Sequence, residues 1–118
     1  MGRRASLGRA VNQGDIYWHT FRSPDKRRPV LLLTRNSAIP FLTSVTVAPI
    51  TSTIRGIPSE VLLTPAQDGV AVDCAVNTDN LQTVQKASLG SYIAHLSLER
   101  MREVRAAVEF ALGFDALT

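Results

Sequence analysis

Lys26, Arg27 and Arg28 stand in a row immediately before Pro29 and the unbroken apolar run "PVLLLT", and Arg35 follows that run. Clustered arginines suit phosphate chemistry. A guanidinium offers a fork of donors that matches two phosphate oxygens, and its charge persists at any working pH. One reaction that needs such groups and no metal is transesterification of RNA, in which the ribose 2′-hydroxyl attacks its own neighbouring phosphate. The protein must then align the two, remove one proton, return another and offset charge on five-coordinate phosphorus. Hydroxyls and one carboxylate could supply the proton transfers. The plainer reading is a solvated turn, since charge runs usually decorate turns.

The distribution of charge favours an anionic partner. The 118-residue chain has a net charge of +3. Arg3, Arg4, Arg9, Arg22, Lys26, Arg27, Arg28 and Arg35 place eight of its thirteen Lys and Arg residues within the first 35 positions. Such clustering is the footprint of phosphate binding or of an acidic protein partner. Glycines never assemble a phosphate loop, and no His/Asp/Glu cluster has metal-ligand spacing, so no cofactor and no metal is expected. Cys74 is the single cysteine, which excludes an internal disulfide and fits a reducing compartment. No stretch reaches the roughly 18 apolar residues of a membrane span. These features are those of a cytoplasmic protein without a membrane partner.

The elements that must position these groups are short strands. Residues 1–13 read as a basic, flexible N-terminal arm, and residues 14–118 as one domain. In "GDIYWHTF", Ile16, Trp18 and Thr20 share one face and Tyr17, His19 and Phe21 the other. "PVLLLT" is too short for a helix and begins with proline at a strand edge. "TSVTVAPITS" alternates through Val45 and Val47, and Pro49 marks a bend or bulge. "SEVLLT", "AVDCAVN", "LQTV" and "SYIAHL" complete a series whose spacing indicates a closed or half-closed barrel. Only the end reads as helix, with Ser97 as N-cap and Gly113 as stop. Its apolar stripe is Leu98, Met101, Val104, Val108, Ala111 and Leu112, while Phe110 and Phe114 fall off it, to cover a partner subunit or fold back on the core.

In order, "GDIYW", "RRPVLLLT", "VAPITST", "SEVLL" and Asp73 leading to "DNLQTV" resemble the MazF/PemK family of toxin endoribonucleases over residues 14–113. The resemblance implies a mainly β fold with helices, an SH3-like small barrel of MazF/PemK/CcdB type with a C-terminal amphipathic helix. It implies a homodimer that cuts single-stranded RNA without a metal, leaving a 2′,3′-cyclic phosphate and a 5′-hydroxyl. It also implies a MazE-like antitoxin with an acidic C-terminal segment. Arg28, Thr51 and Asp79 take the catalytic positions that the resemblance implies: transition-state stabilisation and leaving-group protonation, a hydroxyl at the phosphate, and the general base. Lys26, Arg27, Ser52, Thr53, Asn77 and Asn80 are the expected RNA contacts, and Lys26 and Arg27 equally suit an antitoxin.

Two departures bear on the mechanism. The PemK-type members that use this carboxylate carry an arginine two positions before it, where this chain has Asn77. They also carry a histidine in the loop after the first strand, and "RSPDKR" contains none. His19 and His95 read as packed or surface residues, and Cys74 and Trp18 as core. Two other functions fit the same fold class. One is a gyrase-poisoning, CcdB-like binding toxin, whose type depends on a tryptophan near the C-terminus where this chain ends "GFDALT". The other is a non-catalytic RNA-binding barrel.

Overall fold

Alternating side chains let one strand serve two apolar faces, and the central strands of this protein use both. The computed structural model describes residues 10–22 and 26–117. Its seven strands form one curled antiparallel sheet: β1 (Asp15–Phe21), β2 (Lys26–Leu32), β3 (Ser44–Thr51), β4 (Glu60–Leu63), β5 (Cys74–Asn77), β6 (Gln82–Gln85) and β7 (Tyr92–His95). The order across the sheet is β4-β5-β3-β2-β1-β7, and β6 pairs with β3. A one-turn helix, α1 (Pro65–Asp68), and the long α2 (Leu98–Leu112) complete an α+β half-barrel of the kind expected.

Ile16, Leu31, Ala48 and Ile50 face a core closed by Val61, Leu63, Val76, Leu96, Val104 and Ala107. On the opposite face, Tyr17, Val30, Leu32, Val45 and Val47 pack with Ile39. Burial on both faces explains why "PVLLL" reads as continuous rather than alternating. Each such aliphatic side chain contributes about 1.5–3 kcal/mol when fully buried.

The expected start of β2 at Pro29 is corrected: the ladder begins at Lys26, and Pro29 sits inside it opposite Trp18. Peptide direction explains the tolerance. The Trp18 N–H donates to Ser91 O, and Trp18 O accepts from Gly90 N, so both Trp18 groups face β7. Its partner Pro29 therefore aims its nitrogen at β3, where pairing stops at Val30↔Pro49. Pro49 aims its nitrogen the other way, at the gap where β3 leaves β6 (last pair Val47↔Gln82) and joins β5 (first pair Ile50↔Val76). Neither proline removes a ladder bond.

Ser97 caps α2 by accepting the Arg100 N–H at 3.1 Å, and Gly113 ends it at φ +80°. The apolar stripe is narrower than expected. Val104 and Ala107 are buried and Met101 and Val108 pack beside them, but Leu98 and Leu112 are exposed. Phe110 and Phe114 are also exposed, at 46% and 57%, so they do not fold back on the core. Of the basic arm, residues 1–9 lie outside the described residues. Val11 packs on the second cluster, and Gln13 donates its side-chain amide to Leu33 O at 2.8 Å.

Two buried carboxylates are fully engaged, as burial requires. Asp15 accepts from Asn12 N at 2.9 Å and Tyr17 OH at 2.8 Å, and His95 Nδ1 lies 2.8 Å from its other oxygen. Asp68 accepts from Thr64 N at 2.8 Å and from Arg100 Nε at 3.0 Å, which ties α1 to α2. The hydrogen bond to Asp68 is the main cause holding the Arg100 guanidinium above its usual range, against an opposing effect of burial. Asp68→Ala strands Arg100 and is expected to cost about 3 kcal/mol, the low end for a broken buried pair, because Glu103 remains as a partner. Urea unfolding checks this; a loss below about 1 kcal/mol places the pair in the surface class.

Candidate active site

The second apolar face turns polar at one end of the sheet. Along β1 its row runs Tyr17, His19, Phe21; along β2, Leu32, Val30, Arg28; along β3, Val45, Val47, Pro49, Thr51; along β6, Val84, Gln82. At that end Phe21, Arg28, Pro49, Thr51 and Gln82 line a cleft of about 540 Å3, joined by Arg22, Thr53, Arg55, Asn77 and Asn80. Continuing the Val30↔Pro49 register by two residues sets Arg28 across from Thr51.

Three arginines converge here, from the end of β1, the start of β2 and the segment after β3. None of them pairs with a carboxylate among the described residues, in contrast to Arg100 and Arg105, which do. A cluster of unneutralised cations in a concave site attracts polyanions.

The polar groups are oriented by short backbone bonds. Thr51 Oγ1 accepts the Thr53 N–H at 3.1 Å, which leaves its own proton free to donate. Asn77 Oδ1 accepts the Asp79 N–H at 3.0 Å, which engages its oxygen and leaves the carboxamide NH2 as its donor. Both walls of the cleft hang on one turn before β4. Ser59 O accepts from Thr78 N at 3.0 Å and from the Thr78 hydroxyl at 2.6 Å. Ser59 Oγ donates to Asp79 Oδ2 at 2.5 Å. Glu60 Oε1 accepts from Arg55 N at 2.9 Å and Gly56 N at 3.2 Å, where Gly56 takes φ +68°.

Of the residues expected from sequence, the cleft gathers Arg28, Thr51, Thr53, Asn77 and Asn80. Asp79 is exposed on the 3-10 turn Thr78–Asn80, flanked by two lining residues but not itself lining the cleft. Ser52 is exposed on the bend after β3 and does not line the cleft. Arg27 stacks on Trp18, 4.0 Å from the ring centroid, on the opposite face from Arg28. The Lys26 side chain lies outside the described residues. His19 pairs across the strands with Arg28 and packs edge-on to Phe21 at 4.6 Å; its Nδ1 is buried without a hydrogen-bond partner among the described residues. Cys74 is buried, and burial pushes its thiol up, reinforced by Asp68 and Asp73. A protonated thiol is a poor nucleophile.

Sequence reading missed Arg22, Arg55 and Gln82. Strand parity held the signal for Gln82, two residues before Val84 on the same face. Arg55 sat in "RGIP", which reads only as a break between strands.

Thr78→Val keeps the shape of a fully buried side chain but removes the donor to Ser59 O. The expected loss is about 1–3 kcal/mol, with faster amide exchange across residues 77–80. Chemical unfolding and hydrogen exchange check both parts.

Residues 12–112 match the family model described as PemK-like, MazF-like toxin of type II toxin-antitoxin system. The chain is 40% identical over 100 residues to the probable endoribonuclease MazF5 of Mycobacterium tuberculosis (strain ATCC 25618 / H37Rv), covering 85% of this chain and 91% of that protein. Among solved structures it is similar to the Mycobacterium tuberculosis toxin MazF-mt6, at 37% identity and a TM-score of 0.76, covering 84% of this chain and 96% of the other. It is also similar to a mycobacterial endoribonuclease solved in complex with its cognate antitoxin, at 28% identity and a TM-score of 0.77, covering 88% and 96%.

Proposed function

The chain belongs to the PemK-like, MazF-like toxins of type II toxin-antitoxin systems, and on that premise we propose that it is an endoribonuclease that cuts single-stranded RNA by attack of a ribose 2′-hydroxyl, without a metal. The observation that carries this reading is the convergence of Arg28 and Thr51 in one cationic cleft, at adjoining ends of β2 and β3.

In this reaction the 2′-oxygen forms a bond to phosphorus and the bond to the 5′-oxygen breaks. The departing 5′-oxygen takes a proton from solvent water polarised by the Arg28 guanidinium, and the products carry a 2′,3′-cyclic phosphate and a 5′-hydroxyl. Arg28 neutralises the two equatorial oxygens as charge builds, where donors held in place before the reaction are worth most. The Thr51 hydroxyl donates to one of those oxygens. Asp79 takes the proton from the 2′-hydroxyl through Oδ1, its other oxygen being held by Ser59. Asn77, Asn80 and Thr53 grip the strand beside the scissile bond; Ser52 and Arg27, which do not line the cleft, serve with Lys26 as outlying RNA contacts. An antitoxin with an acidic segment lying across the cleft would occupy the same guanidinium groups and exclude RNA. The relative solved with its cognate antitoxin supports such a partner, and the toxin is proposed to act as a homodimer in the cytoplasm.

Primer extension on a long RNA, with analysis of the new termini, tests the reading. Wild-type protein should cut at discrete sites, with 2′,3′-cyclic phosphate ends and undiminished activity in EDTA. Arg28→Ala should lose at least about 10²-fold in turnover, the scale of one lost oxyanion donor. Asp79→Asn should lose about 10²-fold or more, as for a general base. Intact RNA after prolonged incubation with wild-type protein would sink the nuclease reading. An unimpaired Asp79→Asn would move the base elsewhere.

A further inference from the structure

The charge in the cleft exceeds what the reacting group needs. One phosphodiester carries one negative charge, yet Arg22, Arg28 and Arg55 all line the cleft without a carboxylate partner among the described residues. Consecutive phosphodiesters of a single strand would match three guanidinium groups. Arg28 and Thr51 both line the cleft, and on the nuclease reading they serve one phosphate, the scissile one. Arg55 lies four residues beyond Thr51, on a segment that has left the sheet.

That segment is built rather than loose. One carboxylate oxygen, Glu60 Oε1, accepts both the Arg55 and Gly56 N–H groups, and the left-handed backbone at Gly56 brings the two donors together. Glu60 is partly buried at the start of β4, opposite Asn77 of β5 in the ladder. It uses its charge on backbone donors, and no ion pair joins it to the Arg55 guanidinium among the described residues. The arginine is thereby fixed at its Cα and free at its head. A phosphate-gripping residue needs this combination, because a firm base reduces the entropy lost on binding.

We propose that Arg55 binds the phosphate next to the scissile one, and that Glu60 is its positioning residue. The inference rests on the nuclease reading for which phosphate is scissile, but the contact itself is testable without cleavage. Its signature is a split. Arg28 acts on the reacting charge and so on kcat, whereas Arg55 acts equally on ground and transition states and so on KM.

The experiment pairs cleavage of a long single-stranded RNA with binding of an all-deoxy single strand of mixed sequence, which lacks the attacking hydroxyl. Arg55→Ala should raise KM about 10-fold with kcat held within about 3-fold, the pattern of lost uniform binding. The same variant should lower the slope of log K against log salt by about 0.7, one phosphate contact on a single strand. Glu60→Ala should shift KM in the same direction. Glu60→Gln should restore it, because the amide oxygen still accepts both N–H groups. Arg55 is exposed, so unchanged thermal unfolding of Arg55→Ala is expected and excludes misfolding as the cause.

Unchanged KM and salt slope in Arg55→Ala would overturn the proposal. So would a fall in kcat alone, which would put Arg55 on the scissile phosphate. A KM unmoved by Glu60→Ala would remove the positioning role. If wild-type protein leaves RNA intact but Arg55→Ala still loses the salt-slope increment, the phosphate contact stands and the nuclease reading falls. If wild-type protein binds neither strand, both fall.

Discussion

The pairing register of β2 and β3 is the constraint on which the cleft depends. Val30 opposite Pro49 decides that Arg28 and Thr51 continue the row of Tyr17, Val30 and Val47 rather than that of Leu31 and Ala48. Side chains alternate with a period of two, so a slip of one residue would carry Arg28 to the other face, where Arg27 now stacks on Trp18. Burial resists that slip. It would exchange two well-packed apolar sets at once, at several kcal/mol by the cost of each misplaced aliphatic side chain. The functional residues are therefore placed by the core and do not have to place themselves.

The turn at Ser59 and Glu60 does the complementary work on the irregular walls. Segments outside a sheet have backbone donors that need partners. Here Ser59 satisfies the 77–80 turn and Glu60 satisfies the 55–56 turn, so two loops distant in sequence share one support. A buried hydroxyl and a half-buried carboxylate give the walls a rigidity that loop composition alone would not supply. The prolines fit the same scheme, since the missing donors of Pro29 and Pro49 fall where the ladders have gaps.

Much of this was legible in the sequence because strand parity is a strong signal. Alternation in "GDIYWHTF" and "TSVTVAPITS" located β1 and β3, Pro49 falls where β3 passes from β6 to β5, and Ser97 and Gly113 bounded the helix. The ordered motifs brought Arg28, Thr51, Asn77 and Asn80 to notice together. What escaped depended on contacts distant in sequence. Nothing local says that Arg55 is held by a carboxylate five residues on, or that Arg22 shares its cleft. The ordered motifs place Asp79 at the general-base position, and only the tertiary pairing with Ser59 shows that one of its oxygens is already engaged. Leu98 and Leu112 have helical spacing, but both lie at the ends of α2, where the sheet no longer covers them.

The Asp15–His95 contact joins residues 80 positions apart, and β7 shields the flank of β1 through pairs such as Asp15↔His95. Every described residue that lines the cleft precedes β7 in the chain. A nascent polypeptide thus holds all the groups of its cleft by Gln82 while the β1 flank is still bare and the Asp15 carboxylate lacks His95. Contacts of such long span form late, because the chain between them must be ordered first. Maturation of the sheet is in this way deferred to the last quarter of synthesis, and a truncated translation product is left with an open seam.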